Sequence, residues 1–416
     1  MKRQFSREEV QRHNKKNSAW VIVDGEVFDV TSWVPKHPGG SRLILEFSGT
    51  DCSDEFAAFH APRTRGVLER YKIGVVSDPG TASREVKAYR RLRSKLWAEG
   101  SFKVHPSYVI TSLAKLASLA ILAFVCVGIK NNTMVTLVGG IFLGLFEQQS
   151  LLMAHDLLHR SIFKKRNVSF WSGWFTGTVC GGVGAAWWRR DHFVHHALTN
   201  VLEVDPSAGA DPFVFIDSQQ FLGKKRSSVE HFLLKIQPYL YFPLCLIFAR
   251  FNLHFVSVLA SPSKGVDLCG VVLHFGWKWL LLSRLTTVRL ACYVWCTAYL
   301  VCSILHLQLN VGHFTSHMCT KNSALRRGFF RHQIATTVNI TCSPLEHWFH
   351  GGLEYQIEHH LFPMLPRFRL SEIAPLVQKI SRNAVLTYRE ETFLRANGSC
   401  WRSIKACSDV VRSSKN

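Results

Sequence analysis

The chain has 416 residues, room for two or three domains, and 47% of them are apolar, with Phe (29) and Trp (12) abundant. A net charge of +21 suits nucleic acid and an anionic membrane surface equally, but the apolar residues are gathered into long runs, and no nucleic-acid motif with metal spacing or interleaved aromatics is present, so the membrane is favoured. Twelve cysteines without a C-x-x-C pair argue against a zinc ribbon or a disulfide framework, and the polar opening MKRQFSREEVQRHNKKN shows no apolar core of a cleavable signal peptide, so the N-terminus is expected to stay in the cytosol.

Residues 1–77 read as a small soluble α+β unit. Two short β-rich pieces flank Asp24-Gly25, a strong hairpin signal. In His37-Pro-Gly-Gly the proline fixes the backbone and the glycines let it approach a planar ligand closely. His60 follows Phe56 and Phe59. Two neutral imidazoles can clamp a haem iron from opposite faces, leaving no open position for dioxygen; such a centre carries electrons and does no chemistry on substrate. A plain turn and a surface histidine account for the tetrapeptide alone equally well.

Residues 78–106 read as a linker, Asp78-Pro-Gly-Thr-Ala-Ser, and a basic amphipathic helix over 84–102 that is expected to lie on the membrane surface, the alternative being an ordinary solvated helix. Residues 107–416 form an all-α membrane domain. Four segments, 107–129, 133–154, 266–284 and 287–309, are long and apolar enough to span a bilayer. Two more, 168–186 and 237–260, are ambiguous. Histidine clusters occur near 155–159, 192–196 and 356–360; if they share one metal site they lie on one side of the membrane, so neither ambiguous segment crosses, and both are expected to be interfacial or half-buried. Charge agrees: Arg160, Lys164, Lys165, Arg166, Arg189, Arg190, Lys224, Lys225, Arg226, Arg326 and Arg327 fall on the inferred cytosolic side, against Lys130 and Arg284 opposite.

The clusters carry the chemistry. His155-x3-His159 puts two rings one helical turn apart on one face, His192-x2-His195-His196 brings three within a narrow sector, and Gln356 precedes His359-His360 by one turn. Imidazole suits zinc, copper, iron or nickel. So many histidines exceed what one ion needs, and zinc, having no redox chemistry, gains nothing from a fused electron donor. Two redox ions are expected. The scarcity of carboxylates separates the site from the Glu-rich di-iron bundles. Asp156 and Glu358 are expected to orient the rings. Phe170, Trp171, Trp174, Trp187 and Trp188 line a tunnel or anchor the interface, and His347 and His350 are read as structural.

The stretch Trp20-Val-Ile-Val-Asp-Gly-Glu-Val-Phe-Asp-Val-Thr with His37-Pro-Gly-Gly resembles the cytochrome b5 domain over most of residues 5–76, which implies His37 and His60 as axial ligands of haem b. The three histidine boxes resemble those of the membrane fatty-acid desaturases. Gln356 at the head of the third box, together with the N-terminal haem domain, is similar to the front-end subgroup, which includes sphingolipid desaturases. The resemblance covers nearly the whole chain. It implies His155, His159, His192, His195, His196, His359 and His360 as ligands of two iron ions, with Gln356 in the catalytic set. One further ligand is expected just after the fourth span: His313, in a His-Phe-Thr-Ser context similar to the sphingolipid branch, with His317 as runner-up. Arg160 departs from the many relatives that have histidine there.

The resemblance further implies dioxygen as co-substrate, electrons from NADH through a flavoprotein reductase, and an endoplasmic-reticulum membrane protein with a cytosolic active site. The substrate is an acyl-CoA, a phospholipid acyl chain or a ceramide. The alternatives are a lipid hydroxylase, against which Gln356 argues, and a non-catalytic membrane electron carrier, against which the intact histidine set argues.

Overall fold

A computed structural model describes residues 3–129, 132–208, 214–221 and 225–413; Lys130 and Lys224 of the charge pattern lie outside them. The N-terminal unit is built on a five-stranded sheet of β1 (Gln4–Phe5), β2 (Asn14–Lys15), β3 (Ser18–Val23), β4 (Glu26–Asp29) and β5 (Lys72–Val76) in the order β1-β5-β4-β3-β2. The expected hairpin joins β3 to β4. Val23 pairs with Glu26, and Asp24 and Gly25 take φ of 52° and 76°, the backbone a tight two-residue turn demands. Alternation sorts the strands into two faces. Ile22 and Val27 pack with Phe5 and with Val10 of α1 (Arg7–Arg12) on one, whereas Ala19, Val21 and Val23 face the other, toward α2 (Ser41–Phe47) and α3 (Ser53–Phe59).

That second face does not end at the domain boundary. Its core continues without a break into Val194, Ala197, Leu198 and Val201 of the following domain. The haem unit is therefore seated on its neighbour. Arg42 donates to the Val204 carbonyl (2.6 Å), and Lys321 pairs with Glu46 (2.8 Å).

Helix α4 (Arg84–Ala98) corrects an expectation. Its apolar stripe does not lie on a membrane surface. Tyr89, Leu92 and Leu96 are buried in a protein core with Phe329, Phe330 and Phe362, Tyr89 Oη donates to the Leu361 carbonyl (2.9 Å), and Arg90 on the polar side holds Asp54 of the haem unit (2.8 and 3.0 Å). Amphipathicity announces an apolar face but does not say what covers it.

Among the described residues five helices are long and apolar enough to cross a membrane: α5 (Pro106–Gly128), α6 (Thr133–Leu158), α9 (Ser228–Leu259), α10 (Lys264–Leu282) and α11 (Val288–Val311). α6 and α11 approach closely because small residues face the contact: a methyl added at Gly144 would sit 2.5 Å from the Ala298 carbonyl oxygen. The ambiguous segment 168–186 folds as a hairpin against α6 and is not among the helices long and apolar enough to cross. α7 (Arg166–Trp174) and the π-helical turn Phe175–Cys180 run antiparallel to α6, with Gly173, Gly177 and Gly181 against Leu158, Ala154 and Leu151 in turn. The chain then reverses at Gly182 (φ 75°) into α8 (Ala185–Ala197).

The second ambiguous segment is longer than expected. α9 starts at a capping box formed by Ser227 and Glu230. Cys245 near its middle meets Asn310 in the last turn of α11 (3.2 Å), and its C-terminal end meets Gly184 through Ser257 (2.9 Å) and Arg190 through the Ala260 carbonyl (2.8 Å). Between these points Arg250 pairs with buried Glu147 of α6 (2.6 Å), which also holds Lys278 (2.6 Å). Arg250, His254, His274 and Trp277 satisfy the carbonyls of Gly181, Gly182 and Val179, where the hairpin leaves regular helix. Irregular backbone among apolar helices needs such partners.

Candidate di-metal centre and haem pocket

The architecture delivers histidines to one end of the bundle. α6 ends there with His155 and His159, α8 brings His192, His195 and His196, His313 follows the end of α11, and the short α13 (Gln356–Leu361) carries His359 and His360. Among the described residues these eight form two groups. His155, His159, His192, His196 and His359 make one, and His195, His313 and His360 the other; within each, one nitrogen per ring lies within 4.8 Å of the others. The groups are joined by the neighbours His195-His196 and His359-His360, with the His196 and His360 rings stacked at 4.0 Å.

The nitrogens are arranged for something more than one another. His196 Nε2 faces His192 Nε2 at 2.9 Å, and His195 Nε2 faces His313 Nε2 at 3.2 Å. Neutral imidazoles offer one donor each, and buried His155 Nε2, His159 Nε2 and His359 Nε2 have no hydrogen-bond partner among the described residues. Burial first, and neighbouring rings second, hold His159, His192, His196, His359 and His360 well below the usual imidazole range, and His313 is lowered to about 3 by burial and then by His195. A crowd of buried neutral rings with free lone pairs is a donor set that fits two soft-to-borderline cations.

Several rings are aimed by a second contact. His195 Nδ1 meets both oxygens of Asp205 (3.0 and 2.9 Å), His360 Nδ1 meets Gln333 Oε1 (2.9 Å) and Thr199 Oγ1 (3.1 Å), and His313 Nδ1 meets the Thr336 carbonyl (3.3 Å). Asp205 is buried, which raises its pKa, but His195 and the backbone N–H groups of Ser207 and Asn200 outweigh burial and keep it ionised. Sequence reading missed Asp205, Gln333 and Thr199: no spacing rule links them to the boxes. It also misplaced Glu358, which bonds Asn339 (2.8 Å) and Tyr388 (2.7 Å) instead of a histidine and is raised to about 7 by burial. Asp156 lies 3.5 Å from His155 Nδ1 but is held more closely by Arg367 (2.9 Å).

The remaining expected residues divide. Gln356 is buried at the start of α13 against Gly312, one residue from His313. His317 stays outside the groups, its side chain fully exposed 3.6 Å from Asp217. His350 sits beside Gln308 and His347 beside Glu354, away from both groups. Trp188 is against the centre, stacked on His192 at 4.0 Å, whereas Trp171 is exposed.

In the haem unit the His37 and His60 ring centroids are 6.1 Å apart. Nδ1 of each donates to a carbonyl, Gly40 (3.0 Å) and Phe56 (2.8 Å), which leaves Nε2 as the lone-pair nitrogen on both. Burial lowers both pKa values, His60 to about 4, so both rings are neutral at physiological pH. A methyl at Gly39 would strike the His37 ring at 2.8 Å, so this position needs glycine.

A family described as Fatty acid desaturase matches residues 132–392, well over half of the chain. The chain belongs to the fatty acid desaturase family. A second match, Cytochrome b5-like Heme/Steroid binding domain, covers residues 6–77. Similar curated proteins include a Delta(8)-fatty-acid desaturase of Helianthus annuus, 28% identical over all of this chain and 93% of its own length. An Acyl-lipid (9-3)-desaturase of Borago officinalis is 27% identical over 97% and 93%, and Fatty acid desaturase 3 of Homo sapiens 28% over 98% and 93%. The chain is thus an oxidoreductase, a front-end desaturase with its own cytochrome b5 domain. The domain implies haem, the family implies iron, and the apolar helices place the enzyme in a membrane.

Proposed function

We propose that the two histidine groups each hold one iron ion, His155, His159, His192, His196 and His359 around the first and His195, His313 and His360 around the second, and that Gln356 helps shape the same centre. The convergence of eight imidazoles from separate helices, with lone pairs left over, carries this reading. The reaction balances as one saturated –CH2–CH2– pair, one dioxygen, two electrons and two protons giving one double bond and two waters. Iron supplies the oxidising power for an unactivated C–H bond, which lies beyond general acid–base chemistry.

The protein's part is placement. Asp205, Gln333, Thr199 and the Thr336 carbonyl fix ring tautomers and angles. Half-buried Trp188, stacked on His192, and the buried apolar floor of Leu157 and Leu158 limit the access of water. His37 and His60 would hold haem b, which would supply one-electron transfer, with an NADH-dependent flavoprotein reductase as the electron source. The topology that fits has four spans, α5, α6, α10 and α11, with α9 lying across the bundle since its middle and its end both contact elements at the histidine end. The N-terminus and the centre then face the cytosol, in the endoplasmic-reticulum membrane. The domain limits are 1–77, 78–106 and 107–416.

The substrate is an acyl chain, as acyl-CoA or on a phospholipid; the second reading is a sphingoid chain in ceramide, favoured by the His313-Phe-Thr-Ser context. The deciding experiment is expression in a host lacking such products, fed each lipid class, with mass spectrometry of double-bond position. A new double bond lost in His195→Ala supports the proposal. No product from any class, with iron and haem bound, refutes it.

A further inference from the structure

We infer that Phe59 is the contact through which the haem pocket passes electrons to the histidine centre; this rests on the proposed iron-holding role of the histidines. Phe59 is the last residue of α3 and is bonded directly to His60. Its ring reaches out of the haem unit and meets His196 edge-to-face, with centroids 6.4 Å apart and planes at 83°. It also meets Phe193 at 6.1 Å, and Phe193 in turn lies 5.6 Å from His159. These separations fall within the range of touching aromatic pairs. Phe59 packs against both large cores at this junction, the one shared by the sheet and α8 and the one built around α4, α13 and α14 (Leu370–Asn383). A line of bonded or contacting groups thus runs from His60 through Phe59 to His196. His37, by contrast, is held through its Nδ1 by the Gly40 carbonyl, and among the described residues no ring contact joins it to a histidine of the boxes.

In the step itself the haem held by His37 and His60 goes from ferrous to ferric, and the centre held by the histidine boxes gains that one electron. Two such transfers, each replenished by the reductase, match the two electrons of the balanced reaction. Phe59 is neither oxidised nor reduced overall. Its ring fixes the distance and fills the space between the two redox groups, so it is a positioning residue.

The test uses full-length, haem- and iron-loaded protein in nanodiscs, without oxygen or substrate. The haem is photoreduced in a laser flash with a deazaflavin, and its reoxidation is followed at the Soret band. Phe59→Leu is expected to slow this first-order decay severalfold with haem content and haem reduction potential unchanged, while Phe59→Tyr, which keeps the ring, retains the wild-type rate. A Phe59→Leu protein that reoxidises as fast as wild type overturns the inference. If Phe59→Leu fails to fold, Phe59→Met, which fills similar volume without a ring, takes its place under the same criterion. His359→Ala separates the two levels: decay persisting at the wild-type rate there sinks the iron-site reading itself, whereas decay lost there but unaffected by Phe59 variants sinks only the present inference.

Discussion

Asp205 shows how much of the centre depends on residues outside the boxes. It reaches His195 because the chain after α8 turns sharply, with Asn200 and Glu203 in the left-handed region at φ of 55° and 64°. Asn200 uses the same turn to tie down the His313 segment through the carbonyls of His313 and Ser316 (3.0 and 3.1 Å). Asp205→Asn removes the negative partner of His195. Metal affinity is expected to fall by about 10–100-fold, the usual loss when the group behind a ligating imidazole is changed. Iron per protein measured after dialysis against a chelator checks it, with the haem spectrum as an unaffected control.

The histidine boxes were legible as spacing, whereas the His37–His60 pair was not: a turn and a surface histidine explain it equally well, and only the resemblance to the cytochrome b5 domain singles it out. Asp205 was not legible at all, because a loop brought it into place and no period marks it. His332 was equally silent: it is buried beside the centre, donating from Nε2 to the Thr199 carbonyl (2.8 Å), and is lowered to about 4 by burial and then Arg327. A histidine lowered in the folded state is neutral there while the unfolded chain protonates near 6.5. Stability is therefore full above about pH 6.5, falls as pH drops below that value, and levels off near 4. The loss between pH 7 and 5 from this residue comes to about 2 kcal/mol. Thermal melts at the two pH values, with His332→Gln as comparison, should show the variant losing less on acidification.

At the scale of elements, hydropathy located the apolar helices, but the functions of their faces depended on packing. Gly144 on α6 and Gly276 on α10 look alike in sequence. An added methyl at the first meets the Ala298 carbonyl oxygen at 2.5 Å and Val301 Cβ at 2.7 Å, whereas at the second it meets nothing within 4 Å. Gly144→Val is expected to force α6 and α11 apart and lower stability by about 1–3 kcal/mol. Gly276→Ala should be neutral or gain up to about 1 kcal/mol from helix propensity. Melting of the two purified variants separates the outcomes. The start of α9 was not read from the sequence, whose apolar segment begins at 237, although Ser227 and Glu230 form a capping box ahead of it. What α4 buries was not legible either, because the core that receives Tyr89 is assembled from residues more than two hundred positions downstream.

At the scale of the whole molecule, two units distinct in sequence share a core. Val21 and Val23 of the sheet belong with Val194 and Leu198 of α8, and the flanking contacts Arg90–Asp54 and Lys321–Glu46 lie on either side. The exposed segment 77–83 that links them does not set their relation. Protease cleavage within it is expected to leave the haem fragment bound; co-elution of the two pieces in size-exclusion chromatography would bear this out, and separation would contradict it. Sequence marked the two units correctly as separate folds. Their seating could not be read from it, because the apolar residues that join them serve equally well as the interior of either unit.

The seating has a kinetic consequence. A carrier on a loose tether must search for its acceptor at every turnover, and its delivery depends on tether length and crowding. Here the carrier is held against its acceptor, so internal delivery becomes a property of one folded body, indifferent to dilution or to the length of the 77–83 segment. With the proposed reductase as electron source, the search is moved outward, to the encounter between that donor and the seated haem unit.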